Sequence, residues 1–229
     1  MAAAAWRRHR ALSRLLEPWP ELEGDEPPKL DVLASLLERS GVEFELAIAG
    51  PSRTYEDAVV HGRIPTREKS WHDMFNVLAF VLYPQSKAAL HARCRELAVG
   101  RDRARPRSRE EDALALIDEV SLIVAGSSEG IAAFEAARPG KVVEVLDAIV
   151  REHELFVDVL GHGLLEHLML ARPEVGAGVI PIVLSGAVTR ARVDEALAGR
   201  IAAGGFPKPG LSPTVPWPNS CVDAWLAAI

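Results

Sequence analysis

The chain has 229 residues, with 48% apolar and 25% charged side chains and a formal charge of -6. That is long enough to bury a sizeable core, and the average composition speaks against wholesale disorder. The acidic balance gives no general reason to expect nucleic acid or lipid as partner, and no apolar run reaches the ~20 residues that cross a bilayer. Cys94 and Cys221 lie too far apart for a CxxC motif or a cysteine-rich zinc site, which fits a reducing cytoplasm.

In chain order, Trp6 to Leu16 reads as a short helix with Leu12, Leu15 and Leu16 inward, before an irregular, Pro- and Glu-rich connection over 18–28. Leu30, Leu33, Ala34, Leu36 and Leu37 form one apolar face of a helix that Gly41 caps. Val42, Phe44, Leu46 and Ile48 alternate with polar or small residues and predict a strand. Tyr55 to Val60 reads as a short helix. Ser70 is a candidate N-cap with Asp73 as its N3 partner, starting a helix that runs through Leu82 until Pro84 breaks it. A second helix over 86–98 completes an αα-hairpin.

Arginines alternate from Arg101 to Arg109 in a basic, exposed connection over 100–109. Beyond it two readings compete. Ser108 with Glu111 signals a helix start, whereas Ala113 to Ile117 and Ser121 to Ala125 suit a β-hairpin turning at Asp118-Glu119-Val120; the hairpin is the favoured expectation, though its turn lacks glycine. Helices are expected over 128–137 and 141–156. A further helical stretch over 161–170 follows a break near Asp158 to Gly161, weakened by Gly161 and Gly163. Ile180 to Leu184 is strand or turn, Thr189 to Ala203 a helix, and 206–219 an irregular Pro-rich connection. Ser220 and Asp223 suit the cap of a last short helix. The expected fold class is α+β: one predominantly helical domain over 1–229 with a small antiparallel hairpin or sheet.

Chemistry concentrates in Ser70-Trp71-His72-Asp73-Met74-Phe75-Asn76. His72 and Asn76 stand four apart and share a helix face, His72 offering a base or metal ligand near neutral pH and Asn76 a donor and an acceptor. Asp73 either joins them or completes the cap, and Trp71 reads more as a packing anchor than as a stacking platform. His162 and Glu166 form a second i,i+4 pair, a metal half-site if it meets His72, without the HExxH order of zinc hydrolases. Arg67, beside a helix N-terminus, is the best clamp for a small anionic ligand. Asp112, Asp118 and Glu119 bracket the proposed first strand, where carboxylates support magnesium or acid–base work or are turn residues. His9, His61, His91, His153 and His167 read as exposed or interfacial. The arginine run raises nucleic-acid binding, but it lacks aromatics and Glu110-Glu111-Asp112 follows at once. Phosphate-loop, dinucleotide and serine-elbow motifs are absent.

Pro65-Thr66-Arg67, the segment from Ser70 to Asn76, Pro84 with Lys87-Ala88-Ala89-Leu90, Asp112-Ala113-Leu114 leading to Asp118-Glu119, and Gly161-His162 with Glu166 together resemble the bacterial family called domain of unknown function 3025. Pro213, Pro216-Trp217-Pro218 and Asn219 look like a shortened form of its Pro/Trp-rich C-terminal segment. The chain departs from the family pattern in Cys221 to Ile229, and in Val120-Ser121 where Asn-Gly is expected. The resemblance brings no known reaction. It implies that His72, Asp73, Asn76, Asp118, Glu119, His162 and Glu166 converge in one pocket, with Arg67, Trp71, Lys87 and Asp112 as candidate substrate contacts. The expected function is a small-molecule hydrolase or lyase-like enzyme, with a divalent metal on His72, His162 and Glu166 as an option. A binding protein with a structural polar network is the alternative, and homo-oligomerisation is left open.

Overall fold

The computed structural model describes residues 12, 15–49, 55–99, 106–138, 143–170, 174–204 and 215–218. The fold is α+β and mainly helical. Its described helices are α1 (Leu30–Ser40), α2 (Tyr55–Val60), α3 (Trp71–Leu82), α4 (Pro84–Ala98), α5 (Arg109–Val120), α6 (Ser128–Ala137), α7 (Val143–Glu152), α8 (His162–Met169) and α9 (Arg190–Ala202). The strands are β1 (Glu45–Ile48), β2 (Arg63–Thr66), β3 (Ser121–Gly126), β4 (Phe156–Val159), β5 (Glu174–Val183) and β6 (Val215–Pro218). No helix among the described residues is long and apolar enough to cross a membrane.

Helix α3 is the central element. Met74, Phe75, Val77, Leu78 and Phe80 are fully buried, so this helix is apolar around most of its circumference and spends its few polar residues at its first two turns. Tyr83 separates it from α4, whose Pro84 suits a first-turn position because its missing N–H would have no intrahelical partner. The next amides, Gln85 N–H and Ser86 N–H, donate at 3.0 and 2.8 Å to the buried Asp194 carboxylate of α9. A residue more than a hundred positions away thus caps α4. The expected α1 helix ends at Gly41 in a left-handed conformation (φ 68°), which only glycine adopts without a Cβ penalty. Leu33, Leu36 and Leu37 face inward, while Ala34 is exposed.

β1 and β2 pair in parallel, Glu45 with Arg63 through Ile48 with Thr66. The larger sheet has the order β4-β3-β5-β6, with β3 parallel to β5 and antiparallel to β4. All six residues of β3 are buried, as expected of a strand covered on both faces.

Three expectations are corrected. The favoured hairpin does not form: 113–117 belongs to α5, which Ser108 and Glu111 start with a complete capping box, and the strand begins only at Ser121. Local capping outweighs the β-like run because no glycine is available to turn a hairpin at 118–120. The helix expected over 141–156 stops at Glu152. Glu154 takes a positive φ (48°), and Phe156-Val157-Asp158-Val159 becomes β4, the strand at one end of the sheet order, paired antiparallel with β3. The connection over 206–219, expected to be irregular, includes β6, which pairs with β5. The helix start expected over 6–11, the arginines 101–105 and the caps proposed at 220 and 223 lie outside the described residues.

Candidate functional site

The first turns of α3, the last turn of α5 and the first turn of α8 meet at a cleft of about 370 Å³. Its walls include Tyr55, Arg67, His72, Asp73, Asn76, Asp118, Glu119 and His162. Local rules explain each placement. Ser70 Oγ accepts the Asp73 amide at 3.2 Å, fixing the start of α3. Asp73 does not complete the box toward the Ser70 backbone. Its carboxylate instead takes the Arg67 amide and the Arg67 guanidinium, each at 2.6 Å, and pins the β2–α3 connection across the helix N-terminus. Burial acts to raise the Asp73 pKa, but the hydrogen bonds from Arg67 outweigh it and hold the carboxyl below its ordinary value.

Gly161 and Gly163 bring α8 against α5. A Cβ at 161 would overlap the Ser121 amide nitrogen and come within 2.6 Å of that of Val120; one at 163 would sit 2.5 Å from Glu119 Oε2. The glycines that weaken a helix in the sequence are therefore what lets His162 approach Glu119.

At the meeting point, His72 Nε2 and His162 Nε2 are 3.0 Å apart, and Glu119 Oε1 lies 3.9 and 3.8 Å from them. A tetrahedral metal with bonds of ~2.0–2.1 Å holds its ligand atoms ~3.3 Å apart, so this triangle is close to the size that a three-ligand site requires. Among the described residues, His72, Glu119 and His162 are the group able to hold an ion. Glu166 occupies a different position from that expected of a ligand: its Oε2 stands 3.1 Å from His72 Nδ1, on the far side of the ring. Two-histidine, one-carboxylate sets with open positions suit zinc or iron, and a carboxylate behind a ligating imidazole is the usual outer partner.

The hydrogen-bond geometry adds a second argument. Both Nε2 atoms cannot present lone pairs to each other at 3.0 Å, so one carries a proton. With His72 Nδ1–H donating to Glu166, that proton falls to His162 Nε2, leaving buried His162 Nδ1 as an acceptor with no partner among the described residues. A cation held by the triangle would reverse this, since a His162 ligating through Nε2 would carry its proton on Nδ1, 3.7 Å from Asp118 Oδ1. Burial pushes His162 down to about 3, which keeps it neutral and available as a ligand. Burial also raises Glu119.

Behind the cleft, Lys87 is fully buried and pairs with Asp118 Oδ1; it also donates to Asn76 Oδ1 at 2.8 Å. Burial tends to raise Asp118, but Lys87 and the neighbouring histidines hold it well below the carboxylate range. Asn76 Nδ2 in turn donates to Tyr55 Oη at 2.6 Å. Lys87 is thus sealed beneath the cleft and is not one of its lining residues. Trp71 packs against the core and Asp112 is exposed elsewhere on α5, so neither lines the cleft. Tyr55 carried no site expectation, and the expectation of an exposed or interfacial His91 is corrected. His91 is buried, pushed down to about 4 by that burial, with Nε2 3.9 Å from Asp118 Oδ2 in a cavity that Tyr55, Asp118 and Glu119 also line. Its only sequence signal is that it stands four residues after Lys87 on one helix face.

Fold and site together define a mainly helical α+β protein with a histidine–carboxylate cleft. The chain belongs to the family described as Protein of unknown function (DUF3025), whose model matches residues 43–228. No curated protein and no solved structure matches the chain.

Proposed function

We propose that the cleft is the active site of a metal-dependent hydrolase acting on a small, oxyanion-bearing substrate. The observation that carries this reading is the triangle of His72 Nε2, His162 Nε2 and Glu119 Oε1 opening onto the cleft. Three protein ligands leave coordination positions free, and a metal there supplies a water of lowered pKa and a Lewis acid for the scissile group. Glu166 orients His72, and Asp118, held by Lys87, lies 3.7 Å from His162 Nδ1, the nitrogen that would carry the proton of a His162 ligating through Nε2. Arg67 stays more than half exposed at the rim despite its pair with Asp73, a position suited to attracting an anion.

The Lys87–Asn76–Asp118 bonds favour a second reading, a structural polar network without chemistry. That reading accounts for the buried side of the cleft, but gives no reason for two imidazoles and a carboxylate to converge on its open side.

The test titrates zinc, manganese and iron(II) into metal-free protein, followed by a panel of p-nitrophenyl carboxylic and phosphoric esters. One tightly bound equivalent, lost in His162→Ala, with hydrolysis that depends on that metal, is expected. Failure of all three metals to bind, or hydrolysis indifferent to the metal, overturns the reading.

A further inference from the structure

The direction of the hydrogen bonds beneath the cleft is fixed by one residue. The Lys87 ammonium has donors only, and it is fully buried with Nζ 2.8 Å from Asn76 and in contact with Asp118. The Asn76 side chain must therefore turn its carbonyl oxygen toward Lys87, which leaves its amide facing Tyr55 Oη at 2.6 Å. An amide N–H can only donate, so the Tyr55 oxygen accepts. Its own hydrogen then points away from Asn76, and it meets no acceptor among the described residues. A cation sealed in the core thus sets the polarity of a three-residue chain that ends in a directed hydroxyl at the cleft wall.

We infer that Tyr55 is the hydrogen-bond donor that recognises an anionic oxygen of the ligand, a carboxylate or phosphoryl oxygen, in the cleft that the His72–His162–Glu119 triangle also lines. The inference rests on the proposed active site for its location and deepens it by naming the substrate group read there. Three further observations agree. Tyr55 is only partly buried and lines the cleft together with His72, His162 and Arg67. Its phenol stays protonated across the usual pH range because burial, the largest effect, raises it, so the donor does not titrate away. Two of the carboxylates that line the cleft, Asp73 and Asp118, are each matched by a cation, Arg67 and Lys87, which lowers the electrostatic cost of admitting an anion. Asn76 and Lys87 act through Tyr55 and are positioning residues.

The test measures binding of inorganic phosphate and of acetate by calorimetry to wild-type protein and to Tyr55→Phe, each with zinc and without it, with melting temperatures recorded alongside. The Phe variant keeps the ring and removes only the hydroxyl. A charge-assisted hydrogen bond of this kind predicts a loss of about ten-fold or more in affinity for at least one anion, with little change in melting temperature. A crystal structure of the wild-type complex is expected to place an anion oxygen at hydrogen-bond distance from Tyr55 Oη. Equal affinities in the two proteins, binding of neither anion by the wild type, or an anion seated away from Tyr55 each overturns the inference. Zinc stoichiometry on the same samples separates the two ideas. Failure to bind zinc removes the metal reading, while the metal-free titrations still decide Tyr55.

Discussion

Gly163 lies directly against Glu119: a Cβ added at 163 would come within 2.5 Å of Glu119 Oε2 and 3.0 Å of its carbonyl oxygen. The first of these atoms is the mobile end of a side chain and can swing away, so Gly163→Ala is expected to displace the Glu119 carboxylate more than it destabilises the fold. Gly161 differs, since its Cβ would strike the backbone of residues 119–121, which cannot move independently. Gly161→Ala should cost roughly 1–3 kcal/mol or more in urea unfolding, whereas Gly163→Ala should lose metal affinity with a near-native midpoint. A native metal affinity in Gly163→Ala would show that Glu119 is not a ligand.

The two glutamates around His72 have separable roles. Glu119 belongs to the ligand triangle, and Glu166 holds His72 Nδ1 from behind at 3.1 Å. Removing an outer partner of this kind weakens metal binding about 10- to 100-fold, whereas removing one of three ligands should all but abolish it. Zinc titrations of Glu166→Ala and Glu119→Ala are therefore expected to rank in that order, and the reverse order would restore Glu166 to the inner set that the i,i+4 spacing with His162 first suggested.

What could be read from the sequence follows the range of the forces involved. Leu33, Leu36 and Leu37 with Gly41, Ser70 with Asp73, and Pro84 report local energetics, and the helices they bound stand as expected. Ser108 with Glu111 was equally local, but it competed with an apolar run whose β character belonged only to its second half. β4 was hidden because Val145, Leu146, Ile149 and Leu155 keep helical spacing right up to it. The positive φ of Glu154 that ends the helix has no glycine to announce it. At the cleft, His72, Asp118, Glu119 and His162 were legible as residue types. Two things were not: the inversion that makes Glu119 the neighbour of both imidazoles while Glu166 sits behind, and the burial of Lys87. Both depend on helices meeting at a distance in sequence, Lys87 of α4 reaching Asp118 across 31 positions and His72 of α3 reaching Glu166 of α8 across 94.

Acid should expose the buried histidines. His91 is held down to about 4, against an ordinary value near 6.5, by burial. As pH falls from 6.5 toward 4 the unfolded chain takes up this proton and the folded chain does not, so the unfolded state is favoured. Stability should decline by up to about 1.4 kcal/mol per pH unit for each such histidine and be insensitive to it above 6.5. His162, pushed down to about 3, adds to the same slope with the same sign. Thermal melts of metal-free protein between pH 7 and 4.5 should therefore fall less steeply in His91→Gln than in wild type, and parallel curves would count against a neutral, buried His91.

Lys87 and Asp118 provide the strictest check on the buried side of the cleft. Lys87→Met strips the ammonium partner from Asp118, whose side chain is 16% exposed, and leaves a mostly buried carboxylate without it. Breaking such a pair from one side costs on the order of 3–5 kcal/mol, whereas removing both charges often costs much less. The double variant Lys87→Met with Asp118→Asn should accordingly recover much of the stability that the single variant loses, measured as a coupling energy in urea unfolding. Anion binding should not recover with it. Without an ammonium behind it, Asn76 is free to turn its oxygen toward Tyr55, the hydroxyl then donates inward, and the cleft loses its directed donor even though Tyr55 is intact. A double variant that regained both stability and anion affinity would mean that Lys87 serves only to neutralise Asp118, and that the polarity of the Asn76–Tyr55 bond is set by something else.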